Sequence, residues 1–356
     1  MAHIRDNIHY STRKIDGYNL PFNFVISERE LGKSTTIILD KIYKPFKRDG
    51  STTIVVRRNV NHISEDYVED FANIINKFYD DNVVFQYSKN SLKDGIATIK
   101  IDGKPFIRFI GLSKQIASMK SMMFPNLKNI VFDEFICNQK FGEKYLKQEA
   151  TKFLELYNTF RREATNLKCW FLGNPYSLYN PYFVHFGIPT SKLKRGSIIT
   201  DGKSYVVECA EMCDELREKI LRENPLYQFD NAYTRYAFNG ENVNDENILI
   251  RSKRPENYFL HSLFRVGGKY IAVYRNNDFT KIDTPHFYAE FTDIEFVSKR
   301  RNIYCFDLEE LVDRTSLISI DDKWKFEKLK NSMRKRLIEF NSIECYYLFE
   351  EVFYNI

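Results

Sequence analysis

The sequence predicts an α/β domain on a central, mostly parallel sheet, then a connector and a smaller α+β C-terminal domain. Three observations carry this prediction. Short apolar runs alternate with stretches of helical spacing through the first half of the chain. The runs are bounded by polar residues, as strands buried on both faces should be. The 356 residues are enough for about two domains.

The elements follow in order. Asn23 to Ile26 is the first apolar run, and beyond a polar loop the spacing of Ile37, Ile38 and Ile42 marks a helix from Lys33. Thr53 to Arg58 is a second strand. Glu65 to Phe78 is an amphipathic helix with Tyr67, Phe71, Ile74, Ile75 and Phe78 on one side. Asp102-Gly103 announces a hairpin between Ala97–Ile101 and Phe106–Ile110. Asn129 to Phe132 is a buried strand, a helix covers about Lys147 to Phe160, and Lys168 to Leu172 is a further buried strand.

The character changes after Pro189. The basic residues Lys192, Lys194 and Arg195 precede a hairpin at Asp201-Gly202, a charged helical segment from Glu208 to Arg222 and a polar loop at 239–247. Residues 191–247 are therefore expected to be a connector, with domains at 1–190 and 248–356. In the second domain, strands flank Gly267-Gly268 and lie near Tyr288 to Phe296, and a Lys- and Arg-rich helix is expected from Lys323 to Phe340.

Composition excludes several classes. With 43% hydrophobic and 28% charged residues the chain buries a core, which disordered chains cannot. The 53 Lys plus Arg against 48 Asp plus Glu leave only +5, so nucleic-acid contacts must come from local patches. The longest apolar runs fall far short of the roughly 20 residues of a membrane span, and the N-terminus lacks a signal-peptide core. A cytosolic location without membrane partners is expected. The six cysteines are scattered, and the Cys209–Cys213 spacing suits a helix face rather than a metal knuckle.

The chemistry centres on Ser27-Glu-Arg-Glu-Leu-Gly-Lys-Ser34, between the first strand and the first helix. That is where a P-loop belongs: backbone N–H groups and the helix N-terminus cradle phosphates, a Lys neutralises them, and a Ser hydroxyl binds Mg²⁺. Gly32, Lys33 and Ser34 match the pattern, while Ser27 replaces its first Gly and would make the tight turn depend on a residue with a Cβ. Ser27, Arg29 and Thr35 complete the nucleotide-binding set. About a hundred residues on, a buried strand ends in Asp133-Glu134. In nucleotide hydrolases the strand neighbouring the P-loop ends in an Asp that orders Mg²⁺, and a following Glu polarises water. The next buried strand ends in Gly173-Asn174-Pro175, where an amide could sense the γ-phosphate.

In Asn23–Ile26 leading to Lys33-Ser34, Val56-Arg57-Arg58, Ile130–Ile136, and Asn174 with Asn180–Phe183, the chain resembles the genome-packaging ATPases of phi-29-like phages, relatives of large terminase subunits. The resemblance implies a P-loop NTPase domain of the ASCE, terminase-like type and a C-terminal domain like a vestigial RNase H-like nuclease. Tyr258 to Phe264, the plausible first strand of that domain, contains no acid, so no nuclease activity is expected. The implied roles are ATP and Mg²⁺ held by Lys33, Ser34 and Asp133, water activated by Glu134, and coupling by Asn174. Arg161, with Arg162 adjacent, would reach the neighbouring subunit of a homo-oligomeric ring, expected to be a pentamer. Lys120, Arg57, Arg58 and Arg162 are expected at DNA or intersubunit contacts. Double-stranded DNA, the portal protein and a structural RNA are the implied partners, and the basic sets Lys299–Arg301 and Arg334–Arg336 are open to any of the three. The location implied is host cytoplasm, at the procapsid. The competing readings are a helicase-type remodelling ATPase and a non-catalytic nucleotide-binding scaffold.

Overall fold

The computed structural model describes residues 7–355 apart from 115–123, 139–141, 163, 165, 179, 230–231, 240–248, 277–284, 294–301, 307 and 336. The chain divides into two compact units, Met1–Asn244 and Asp245–Ile356.

The first unit holds eight strands: β1 Phe22–Ile26, β2 Thr52–Arg57, β3 Ile96–Ile101, β4 Lys104–Gly111, β5 Leu127–Asp133, β6 Lys168–Gly173, β7 Ile198–Thr200 and β8 Tyr205–Cys209. Their order is β3-β4-β2-β5-β6-β1-β8-β7, parallel from β4 to β8, with β3 and β7 antiparallel at the edges. Strands β1 and β2 are buried along their whole length and β6 in all but its first residue, as a sheet covered on both faces requires.

Two features differ from expectation. The strand beside β1 is β6, and the acid-bearing β5 lies one place further out. The stretch 191–247 is not a connector, because its hairpin supplies β7 and β8, and β8 pairs in parallel with β1. The Asp201-Gly202 turn is local, but the partner of its second strand lies far away in sequence. The loop at 240–247 lies outside the described residues.

Below the sheet's carboxyl edge, Phe24 stacks on Phe171 at 4.3 Å and meets Phe135 edge-on at 5.6 Å, while Phe153 and Tyr182 close round Phe171. Each such ring contributes about 1.5–3 kcal/mol by leaving water, so the segment after Asp133 rests on a rigid base. The helix that follows the P-loop begins as Lys33–Ile37, turns π-helical over Ile38–Tyr43, and ends as Lys44–Asp49. Asn129 of β5 donates to the Lys41 carbonyl of the π stretch at 2.7 Å and accepts from Trp170 Nε1 at 3.1 Å. The helix Glu65–Tyr79 starts where Ser64 Oγ accepts the Tyr67 N–H.

The second unit has β9 Tyr258–Val266, β10 Lys269–Asn276, β11 Phe287–Thr292, β12 Ile303–Cys305, β13 Thr315–Leu317 and β14 Ile338–Phe340, ordered β13-β12-β9-β10-β11-β14. An antiparallel meander β9-β10-β11 is extended in parallel by β12 and β13 on the β9 side and by β14 beside β11. The basic helix is shorter than expected, Glu327–Arg334, because Ile338–Phe340 pairs with β11, and a further helix follows at Ile343–Asn355.

Candidate nucleotide site

The segment after β1 forms a loop whose left-handed positions fall on Glu30 (φ 62°) and Gly32 (φ 87°). Ser27 is not among them, so the Cβ at that position costs nothing. The Ser27 N–H donates to the Gly173 carbonyl at 3.2 Å, which ties the loop to β6. Gly32 precedes the first turn of the helix, and Ser34 and Thr35 lie half-buried within that turn.

Lys33 reaches back across the loop. Its Nζ donates to Asn174 Oδ1 at 2.7 Å and lies 3.4 and 3.5 Å from the Glu28 and Ser27 carbonyls. Burial pushes the ammonium down to about 8, opposed by the nearby Asp133 charge. Tyr176 OH accepts from both Asn174 Nδ2 (3.3 Å) and Arg29 Nη2 (3.1 Å), placing Arg29 beside the amide.

The acid pair sits at the end of β5. Asp133 Oδ2 accepts from Arg57 Nη1 at 2.9 Å and from Tyr67 OH at 3.0 Å, and burial raises its pKa. Glu134 has a left-handed backbone (φ 59°), and its Oε2 accepts from Arg57 Nη2 at 2.6 Å. Both contacts on Asp133 fall on Oδ2, so Oδ1 carries no hydrogen bond among the described residues. Among those residues no group of three or more His, Cys, Asp or Glu gathers at one point. A hydroxyl and one carboxylate oxygen suit Mg²⁺, which takes few protein ligands and completes its shell with phosphate and water.

The two arginines at the end of the second strand, Arg57 on it and Arg58 just past it, are not placed to grip DNA. Arg57 is held across Asp133 and Glu134 with Tyr67 beneath it, 4.8 Å from its guanidinium, and Arg58 is buried against Glu149 at 2.8 Å. A side chain already desolvated and paired is unavailable to a phosphate. Lys120 lies outside the described residues, as do Lys299–Arg301.

Arg161 ends the helix Glu149–Arg161, which runs back against the strands. Tyr157, one turn earlier, packs on Phe22 at the start of β1, with ring centroids 4.9 Å apart. Arg161 and Arg162 are therefore exposed at the amino edge of the sheet, a strand's length (roughly 17–20 Å) from the loop and acids of their own chain.

Sequence reasoning missed Glu28, Tyr67, Tyr176 and Glu149. Only Glu28 had a signal: a carboxylate inside a phosphate loop demands a counter-charge. Arg195 supplies it at 2.6 Å, with Arg217 at 3.8 Å.

Insertion of β6, with its terminal amide, between the phosphate-loop strand and the acid-bearing strand is the arrangement of ASCE-type P-loop NTPases, and the first unit belongs to that class. The family model for Podovirus DNA encapsidation proteins (Gp16) matches residues 4–356, and the chain is a member of that family, whose role is phage DNA packaging. The DNA packaging protein of Bacillus phage phi29 is 26% identical over 340 residues, 94% of either chain. That of Bacillus phage B103 is 28% identical over 302 residues, 85% of this chain and 86% of its own. Among solved structures, the Phi-28 gp11 DNA packaging motor matches with a TM-score of 0.66 at 15% identity, covering 98% of both chains. The Phi-29 viral genome packaging motor assembly matches at 0.61 and 22% identity, covering 98% of this chain and 99% of its own. These matches establish a shared fold over the whole chain.

Proposed function

We propose that this protein is an ATPase whose hydrolysis drives double-stranded DNA into a preformed capsid, acting as a homo-oligomeric ring at the portal vertex. The observation that carries the reading is the convergence of Lys33, Asn174, Asp133 and Glu134 on one sheet edge, with the ammonium 2.7 Å from the amide. Lys33 and the loop N–H groups hold the phosphates of ATP. Ser34 and Asp133 hold Mg²⁺, which neutralises charge on the phosphate oxygens. Glu134 orients the attacking water, and Asn174, released when phosphate takes its place at Lys33, reports occupancy.

The position of Arg161 supports service to a neighbouring subunit rather than to its own site, because its helix ends on the opposite edge of the sheet. An arginine of this kind is worth about 10³–10⁵ in rate, so turnover requires assembly. Lys120 and loop lysines such as Lys192 and Lys194 contact DNA phosphates without reading bases. The portal protein, and a structural RNA meeting Arg334 and Lys335, are the remaining partners. The C-terminal unit does not cleave DNA, since β9 offers no acid for a two-metal set.

The test is ATP hydrolysis by wild type and Glu134→Gln, with and without duplex DNA and at several protein concentrations. Loss of turnover with nucleotide binding retained is the expected result. Undiminished turnover in Glu134→Gln would overturn the assignment.

A further inference from the structure

Arg58 makes a second set of contacts around the acid pair, and these fall on backbone. Its Nη1 donates to the Glu134 carbonyl at 3.2 Å and its Nη2 to the Phe135 carbonyl at 2.6 Å. Its Nε donates to Glu149 Oε2 at 2.8 Å, and the two side chains are only 4% and 0% exposed. Glu149 is held in turn: Tyr182 OH donates to Oε1 at 2.9 Å and the Leu146 N–H to Oε2 at 2.8 Å. The guanidinium also lies over Tyr145, 5.0 Å from the ring centroid.

The backbone so held is the left-handed one at Glu134. A residue with a Cβ occupies that region at a cost of order 1–3 kcal/mol and persists there only when its surroundings fix it. Two carbonyls gripped by one rigid fork supply such fixation, whereas a lysine ammonium would bind as a point charge.

We infer that Arg58 and Glu149 are positioning residues that aim Glu134 through its main chain. Arg57 restrains the Glu134 carboxylate, and a carboxylate that turns from Arg57 toward water keeps its direction only if the backbone beneath it stays fixed. The inference rests on Glu134 acting on water as proposed above.

The test uses the full-length protein and five variants: Arg58→Lys, Tyr182→Phe, Glu134→Gln, and each of the first two combined with Glu134→Gln. The readouts are kcat and KM for ATP, binding of a fluorescent ATP analogue, and the melting temperature. In Arg58→Lys, kcat is expected to fall about tenfold or more while KM and analogue affinity stay within about twofold, since misaiming a reacting group by a fraction of an ångström has this scale of effect. Tyr182→Phe should show the same pattern, weaker, and decides the matter if Arg58→Lys does not fold. Neither substitution should lower the residual rate of Glu134→Gln further. An unchanged kcat in a folded Arg58→Lys beside a Glu134→Gln reduced to its residual rate would overturn this inference alone, as would an equal further loss on the Glu134→Gln background. Normal turnover by Glu134→Gln would overturn the catalytic reading and this one with it.

Discussion

Lys33 Nζ lies 2.7 Å from Asn174 Oδ1, so the ammonium of the phosphate loop is held by an amide from the strand next door. Asn174→Ala removes that partner without touching the loop. We expect nucleotide affinity within a few-fold of wild type, hydrolysis retained, and DNA packaging lost. Packaging that proceeds normally in this variant would leave Asn174 no part in coupling.

The same lysine sets a pH dependence. Its folded value of about 8 lies below the ordinary 10.5. Below about pH 8 it is charged in both the folded and unfolded chains, and the burial penalty is complete. Between about 8 and 10.5 the unfolded chain holds the extra proton, so this group makes stability rise with pH through that window. The urea midpoint of Lys33→Met should therefore exceed that of wild type at pH 7.5, by a margin that shrinks at pH 9.5. ATP affinity of the wild type should weaken above about pH 8, with proton uptake on binding measurable from calorimetry in two buffers.

Arg161 can be tested by mixing. Arg161→Ala and Glu134→Gln should each be reduced to a residual rate alone. In a mixed ring, an Arg161→Ala subunit keeps its own Glu134 and can receive an arginine from a Glu134→Gln neighbour, so some turnover should return. A mixture as inactive as its components would exclude service between subunits.

Gly173 lies directly under the segment that follows Asp133. A Cβ there would come within 2.8 Å of Phe135 Cε1 and 3.0 Å of Ile136 Cδ1. Gly173→Ala should cost about 1–3 kcal/mol by overpacking, read as a lower urea midpoint. Because the displaced side chains follow Glu134 in sequence, kcat should fall too.

Arg57 separates site from DNA grip. Arg57→Gln should leave the salt slope of duplex DNA binding unchanged, since a buried residue neutralises no phosphate, while lowering kcat. A slope reduced by about one would return Arg57 to the DNA surface.

Local signals made much of the fold legible. Asp102 (φ 50°) and Gly103 (φ 75°) take the left-handed turn that Asp-Gly favours, and Gly202 (φ 71°) takes part in the second such hairpin. The P-loop was legible because Gly32, Lys33 and Ser34 are contiguous. Strand order was not, because β6 and β8 are chosen as neighbours of β1 by packing over long separations that no local pattern records. Arg57 and Arg58 looked like a basic patch for the same reason: their partners Asp133, Glu134 and Glu149 lie 76, 77 and 91 residues away. The helix expected to Phe340 stops early because sheet pairing to β11 overrides its composition.

The position of β1 between β6 and β8 also has a consequence for how the protein is made. Its registers join Ile26 to Gly173 and to Cys209, so neither neighbour exists when the first strand leaves the ribosome. At about 5–20 residues per second, the nascent phosphate loop waits roughly 10–40 s for the last strand that flanks it. Until β6 is made, Phe22, Phe24, Val25 and Ile26 have no neighbouring strand to pair with, and the edge they present stays open until β8 arrives.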